Sequence, residues 1–404
     1  MSSKKSTLGI TVKKDQDFSE WYTQLLQKAE MVDYSAVSGC YILRPNSYHI
    51  WEKVQGFFDA LIKADGVKNA YFPLFIPESL LAKEEKHIQG FAAEVAWVES
   101  GGHSKLQERL AVRPTSETII NDSYAKWIRS HQDLPLRLNQ WCNVVRWEFK
   151  HPIPFLRSRE FLWQEGHTAF ASKEEAVKET YKILDFYEKV FTELAAVPTL
   201  KGMKSKTETF AGAEFSLSLE AFLPNGKAIQ GCTSHHLGQN FAKAFNITFQ
   251  DEKQQSQHVW QNSWGITTRL LGILIMVHSD DRGLVLPPKL ASTQAVIVPI
   301  LFDDSRAKVL KEAEKIKSAL EKKGISVHMD DREGYSPGWK FNEWEMKGVP
   351  VRIELGPKDL EKKQAMVVRR DTGEKQALPL SELNSEVISI LEKMQLDLYK
   401  KAEK

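Results

Sequence analysis

Three arginines in three different local settings are the residues of this chain best suited to chemistry. Arg146 sits in Val-Val-Arg-Trp-Glu (144–148), Arg157 in the loop that follows, and Arg269 just after Gly265-Ile266-Thr267-Thr268. A guanidinium fork can hold two phosphate oxygens at once, so three converging forks can gather a polyphosphate without a glycine-rich loop. Residues 144–148 and 159–168 read as paired strands. Alternation puts Arg146 with Glu148 on one face of the first, and Arg159, Phe161, Trp163, Glu165 and His167 on one face of the second. Charges amid Trp, Phe and Val are costly to bury unless they pair with each other or with a charged ligand. Arg269 falls in the first turn of an apolar helix, where a cation opposes the helix dipole by ~0.3–1 kcal/mol and so asks for an anion to face. The strands alone leave an alternative open, an internal Arg–Glu network that stiffens a sheet.

A second segment, Arg113-Pro114-Thr115-Ser116-Glu117, places a hydroxyl and a carboxylate at the start of a helix whose apolar face is Ile120, Tyr124, Trp127 and Ile128. A plain N-cap with an acidic first turn has the same look. Other chemistries lack their residues. There is no GxxxxGK[ST] loop and no strand–GxGxxG–helix unit, which excludes the two common nucleotide folds. His235 and His236 are adjacent rather than four apart, and Cys40, Cys142 and Cys232 are scattered. No zinc site, redox pair or disulfide framework follows from such spacing.

The elements that must position these residues fall into two groups. Residues 1–16 are polar and lysine-rich and read as a flexible tail. Helices are expected over Phe18–Val32 and Ser47–Ala64, then an apolar strand over Val67–Ile76 interrupted by Pro73, which belongs at an edge or where another chain packs across. From Gln140 to Gly265 strands dominate, with one inserted helix behind the capping box Ser172-Lys173-Glu174-Glu175. Phe215–Ala221 alternates as a half-buried strand, and the strand bearing Ser263 is expected to end at Gly265. The apolar helix after Thr267 is expected to run to Pro287-Pro288, the boundary between domains 17–288 and 289–404. Beyond it, strands (295–301, 325–329, 349–355, 365–370) alternate with helices (305–323, 336–347 and from 381), a mixed α/β layer.

Composition agrees with an ordinary multidomain globular protein: 404 residues, 42% hydrophobic and 27% charged. The net charge of +2 is spread evenly between the two parts, so bulk charge says nothing for nucleic acid. The longest apolar run, Leu270–Val277, is far short of a membrane span, and no apolar stretch follows the N-terminal lysines. No membrane association and a reducing, cytoplasmic compartment are the expectations.

Taken in order, these segments resemble a class II aminoacyl-tRNA synthetase, most closely a prolyl-tRNA synthetase of the eukaryotic/archaeal type. Gly66-Val67-Lys68-Asn69-Ala70-Tyr71-Phe72-Pro73 is similar to the first class motif, Arg146-Trp147-Glu148 with Arg157-Ser158-Arg159-Glu160-Phe161 to the second, and Gly265–Arg269 to the third. Residues 113–117 and Gly231–Phe241 look like the prolyl signatures, with Cys232 standing where glycine is expected. The resemblance covers residues 17–404. It implies an α+β catalytic domain with an antiparallel sheet (the class II synthetase fold) plus an α/β anticodon-binding domain with a mixed sheet. It implies ATP-dependent activation of L-proline to prolyl-adenylate and transfer to the 3′ end of tRNA(Pro), with ATP and Mg²⁺ as cofactors and a homodimer formed through the region of Pro73.

By the same resemblance, Arg146 and Arg269 are catalytic, and Arg146, Glu148, Arg157, Gln230, Thr233, Thr268 and Arg269 bind ATP. Thr115, Glu117, Arg146, Trp163, Glu165, His167, Phe210, His235, Ser263 and Gly265 bind proline. Arg352, Glu354 and Lys358 meet the anticodon. Members of this type usually continue into a cysteine-rich zinc domain, which is expected to be missing after Lys404. The interval between the second and third motifs is too short for the bacterial editing insertion, so removal of mischarged alanine is not expected. The rivals are a threonyl, glycyl or histidyl synthetase, and a catalytically silent paralogue acting as an amino-acid sensor or tRNA-binding subunit.

Overall fold

The structure, a computed structural model, describes residues 9–87, 94–148 and 150–404. Residues 1–8 of the expected tail and Phe149 of the expected loop lie outside the described residues. The first domain is built on a seven-stranded sheet formed by β1 (Lys68–Asn69), β2 (Leu136–Val145), β3 (Glu160–Phe170), β4 (Leu200–Met203), β5 (Phe215–Phe222), β6 (Ala228–Gly238) and β7 (Trp260–Thr267). In space the order is β1-β2-β3-β7-β6-β5-β4, and every pairing is antiparallel except β1 with β2.

The sheet works because its two faces differ in chemistry. On β7, Trp264 and Ile266 are buried on the back face, while Ser263, Gly265 and Thr267 line a cavity on the front. The back face packs on the helices Pro45–Ala64, Lys173–Lys189 and Arg269–His278 in one apolar cluster. There Phe58 stacks on Tyr187 at 4.7 Å and meets Trp264 edge-on at 6.0 Å. A smaller cluster round Phe72, Tyr124 and Phe241 seats the helix Glu117–Trp127, and the Tyr124 hydroxyl donates to the His167 carbonyl at 2.8 Å. A three-stranded sheet of Phe75–Pro77, Ala96–Gly101 and Ser104–Val112 stands beside it.

The second domain has a mixed sheet of β8 (Ala295–Pro299), β9 (Val327–Met329), β10 (Val351–Leu355), β11 (Gln364–Arg369) and β12 (Lys375–Pro379), in the order β9-β8-β10-β11-β12. β8 pairs in parallel with β9 and β10, and the remaining pairs are antiparallel. The domains are joined by a bidentate ion pair from Arg370 to Asp280 (2.9 and 2.6 Å) and by Arg282 to Glu345 at 2.7 Å.

Several expectations need correction. Residues 9–16 are not loose. The Lys14 backbone N–H donates to Asp281 at 2.7 Å, and its ammonium lies over the Trp21 ring at 4.7 Å. The strand expected over 67–76 is two short pieces, because Pro73 and its neighbours leave the ladder. The Phe72 N–H instead donates to the Gln140 side chain, and its carbonyl accepts from Arg113 at 2.8 Å. The helix after Thr268 ends at His278 rather than at the prolines, since Ser279 turns extended and Asp280 caps the domain joint. β7 continues two residues past Gly265, whereas β2 stops at Val145, one residue short of Arg146.

Gly166 lies directly across from Trp264, and a Cβ there would sit 2.2 Å from the indole ring. The Gly166→Ala variant is therefore expected to lose ~2 kcal/mol through overpacking, measured by urea unfolding. An unchanged midpoint would contradict the packing.

Candidate functional site

A cavity of about 430 Å³ lies on the front of the central sheet, at the junction of β3, β6 and β7 with the loops 113–117 and 204–211. Strand alternation delivers Trp163, Glu165 and His167 from β3, as their spacing predicts, and Ser263, Gly265 and Thr267 from β7. Gly265 keeps the floor low. A Cβ there would lie 3.1 Å from the Gln164 carbonyl and 3.8 Å from the Trp163 ring.

Arginines gather at one end. Arg146 and Arg269 both line the cavity. Arg146 lies beyond the end of β2, but its backbone N–H still donates to the Arg159 carbonyl at 2.7 Å, so it keeps the strand direction for one more residue. Its guanidinium donates to the Pro114 carbonyl at 3.1 Å and lies 5.5 Å and 5.3 Å from the Phe161 and Trp163 ring centroids. Arg269 donates to the Leu156 and Gln230 carbonyls at 3.3 and 3.4 Å. Among the described residues neither makes an ion pair with a carboxylate. Burial, then the charges of Arg146 and Arg157, pull the Arg269 pKa down. Burial also pulls Arg146 down, against the carboxylates of Glu148, Glu165 and Glu117. Arg146 and Arg157 thus both act on the charge of Arg269, and among the described residues none of the three makes an ion pair with a carboxylate. Arg146 and Arg269 are therefore not members of an internal Arg–Glu network.

The other end is polar but satisfied. Glu165 is buried, and its Oε2 accepts from the Ser116 N–H (3.0 Å) and the Thr115 hydroxyl (3.2 Å) and lies 3.0 Å from His167 Nε2. Its Oε1 accepts from Gln140 Nε2 at 3.1 Å. Burial alone would raise this carboxyl, but the His167 and Ser116 contacts outweigh it and hold the pKa down at about 2. His167 Nδ1 stands 3.9 Å from Glu117, so the imidazole lies between the two carboxylates, bonded to Glu165. His235 packs at a tilt against Phe210, with ring centroids 4.8 Å apart, and Ser216 Oγ lies 2.7 Å from its Nδ1. Burial first, then Lys204 and His167, pushes its pKa down to about 3 and keeps the ring neutral. Trp163, Phe210 and neutral His235 give an apolar niche of small size beside Glu117 and Thr115.

Of the residues expected at the site, Thr115, Glu117, Arg146, Glu148, Trp163, Glu165, His167, Phe210, Gln230, Thr233, His235, Ser263, Gly265 and Arg269 all line this one cavity. Two do not. Arg157 is exposed at the rim, in the tight turn closed by its N–H to the Ile153 carbonyl. Thr268 is turned into the protein, and its neighbour Thr267 faces the cavity instead, accepting from the Arg269 N–H at 3.0 Å. The sequence reading missed Gln140 and Ser116, which hold Glu165, and Lys204 and Glu208, which close one wall. No local spacing marks these residues, because their partners come from distant strands.

In the second domain Arg352 and Glu354 share a face of β10, as alternation predicts, and they pair with each other at 3.0 Å. β10 is the central strand and not an edge, and Lys375 takes the second oxygen of Glu354 at 2.6 Å. Glu354 is therefore buried and engaged on both oxygens, while Arg352 leans on Phe341 (4.4 Å) and Lys358 is exposed.

Comparison with known proteins gives these arrangements a family. Residues 97–278 match the tRNA synthetase class II core domain (G, H, P, S and T), and residues 294–390 match an anticodon binding domain. The cytoplasmic proline–tRNA ligase of Arabidopsis thaliana is 55% identical over 401 residues, which is 99% of this chain and 76% of the relative. Proline–tRNA ligase 2 of Clostridioides difficile is 53% identical over 97% of this chain and 81% of its own length. The bifunctional glutamate/proline–tRNA ligase of Mus musculus is 52% identical over 99% of this chain, which spans 27% of that protein.

Glu165 carries a stability test. Its pKa of about 2 in the folded chain compares with about 4.3 in an unfolded one, so the ionised group contributes roughly 3 kcal/mol above pH ~4.5. That contribution drains away as the pH falls towards 2. Glu165→Gln is expected to be less stable than the parent at pH 7, with the gap narrowing across that window in denaturation curves. A gap independent of pH would contradict the assignment.

Proposed function

The chain belongs to the proline–tRNA ligases of the class II aminoacyl-tRNA synthetases, enzymes that join L-proline to tRNA(Pro) at the expense of ATP, and on that premise we propose how its cavity divides the work. Arg146 and Arg269 hold the phosphates of ATP, with Arg157 reaching in from the rim. Glu148, Gln230 and Thr233 line the nucleotide side, and Thr268 supports them from within. The observation that carries this is the convergence of guanidinium groups held by carbonyls and left without carboxylate partners.

Proline lies at the other end. Glu117 and Thr115 receive its ammonium, and Trp163, Phe210 and His235 enclose the ring. Glu165, Ser263 and Gly265 shape the floor, and His167 sets the orientation of Glu117. Activation is attack of the proline carboxylate on the α-phosphorus, with the Pα–O bond to pyrophosphate breaking as the acyl–phosphate bond forms. The nucleophile is already ionised, so no general base is required. The arginines reduce repulsion between two anions and hold them in line. The prolyl group then passes to a ribose hydroxyl at the tRNA 3′ end, releasing AMP.

A divalent ion accompanying ATP fits the donor set in one way only. Among the described residues no group of three or more His, Cys, Asp or Glu forms a protein cage. Mg²⁺ would therefore be held mainly by phosphate and water oxygens, with Glu148 as the nearby carboxylate, and would add positive charge at the phosphates.

In the second domain, Arg352 and Lys358 meet the anticodon, with Glu354 fixing Arg352. A second copy covers the region of Pro73, where the prolines's neighbours Tyr71 (72% exposed) and Phe75 (45%) leave apolar surface outward. The compartment is cytoplasmic, in keeping with the printed name of the Arabidopsis relative.

ATP–pyrophosphate exchange across the twenty amino acids is expected to respond to proline above all others. Arg146→Ala is expected to lower that exchange by about 10³-fold with the melting curve retained. Exchange near the parent level would remove Arg146 from the phosphate clamp.

A further inference from the structure

Behind the cavity, one buried carboxylate touches the sheet exactly opposite the amino-acid end. Strand register sets three front-face residues side by side: His167 of β3 pairs with Ser263 of β7, which pairs with His235 of β6. One step along each strand lies a matching back-face row, Thr168 with Asn262 and Asn262 with His236, and Arg137 of β2 is the register partner of Thr168. Since neighbouring residues on a strand point to opposite faces, a shift in one row is a shift in the other.

Glu179, from the helix Lys173–Lys189, holds that back row together. Its Oε2 accepts from the Thr168 hydroxyl and from Asn262 Nδ2 at 2.9 Å, and its Oε1 accepts from Arg137 Nε at 2.7 Å. Asn262 Nδ2 also donates to the Ala176 carbonyl at 2.7 Å, so its Oδ1 must face His236 Nδ1, 2.9 Å away. That orientation requires the His236 proton on Nδ1. Arg137 carries the network on to Asp65 at the end of the helix Pro45–Ala64. Three strands are thus pinned directly by one side chain that touches no cavity residue, and a fourth, β6, is tied in through Asn262. Arg146 and Arg269 are held separately, by the Pro114, Leu156 and Gln230 carbonyls.

We propose that Glu179 is a positioning residue for the amino-acid half of the site: by fixing Thr168 and Asn262 behind the sheet, and His236 through Asn262, it fixes His167, Ser263 and His235 in front. This rests on the assignment of the cavity to proline and ATP. Glutamine in its place presents an N–H₂ to groups that already donate, so the clamp loosens without a change of size.

The test is ATP–pyrophosphate exchange with Glu179→Gln. The KM for proline is expected to rise about tenfold, while the KM for ATP stays within about twofold. Thr168→Val should shift the proline KM in the same direction, and Thr168→Ser should restore it. That pair carries the test if Glu179→Gln fails to fold. A folded Glu179→Gln or Thr168→Val protein with both KM values unchanged, or with proline and ATP affected equally, would overturn the proposal. The parent protein is the control for the underlying assignment. If it shows no proline-dependent exchange, the functional reading falls first, and the Glu179 role falls with it.

Discussion

The site is governed by the repulsion among guanidinium groups that have been brought together and left unneutralised. Arg269 is made less basic by burial and by its two arginine neighbours, and its hydrogen bonds run to carbonyl oxygens. A carbonyl aims a fork without cancelling its charge, whereas a carboxylate would do both. The folded chain therefore stores unfavourable charge at one end of the cavity, and an anionic ligand relieves it. Such a preorganised field needs no rearrangement when negative charge builds up in the reaction.

The opposite end is built on the reverse rule. The carboxylate at the floor of that end is satisfied internally: both Glu165 oxygens are taken by Ser116, Thr115, His167 and Gln140. His235 is kept neutral by burial and adds ring surface rather than charge. A ligand entering there meets apolar walls beside the carboxyl groups of Glu117 and Glu165, which suits a small ring bearing an ammonium. On the proposed division of the cavity, the carboxylate of such a ligand would point towards the arginines.

How far this could be read from sequence depended on the reach of each interaction. The parity of Trp163, Glu165 and His167 is a property of one strand, and it was legible. So was the helix behind Ser172, whose side chain accepts from the Glu175 N–H as the capping box implies. Arg146 and Glu148 do line one cavity, although alternation was the wrong reason, because β2 has already ended at Val145. What failed was long-range. Docking of Lys14 depends on Ser279 and Asp281, and the engagement of Glu354 depends on Lys375. Glu179 carries no local mark of importance, since its three partners lie on three different strands. Thr267 and Thr268 differ only in which of two adjacent residues faces the ligand, and helix entry geometry decides that.

The helix Arg269–His278 runs from the arginine end of the cavity to the joint between domains. Its first residue is a cavity arginine, and ten residues at 1.5 Å each place its other end about 15 Å away. That end is anchored by His278, whose Nε2 lies 2.9 Å from the Ala195 carbonyl and whose pKa burial pushes down to about 4. Two residues further on, Asp280 meets the Arg370 fork of the second domain, and Arg282 meets Glu345. The helix is short and mostly buried, and its packed side chains leave it little freedom to bend. The helix that begins with the Arg269 fork thus ends two residues before the ion pair that joins the domains.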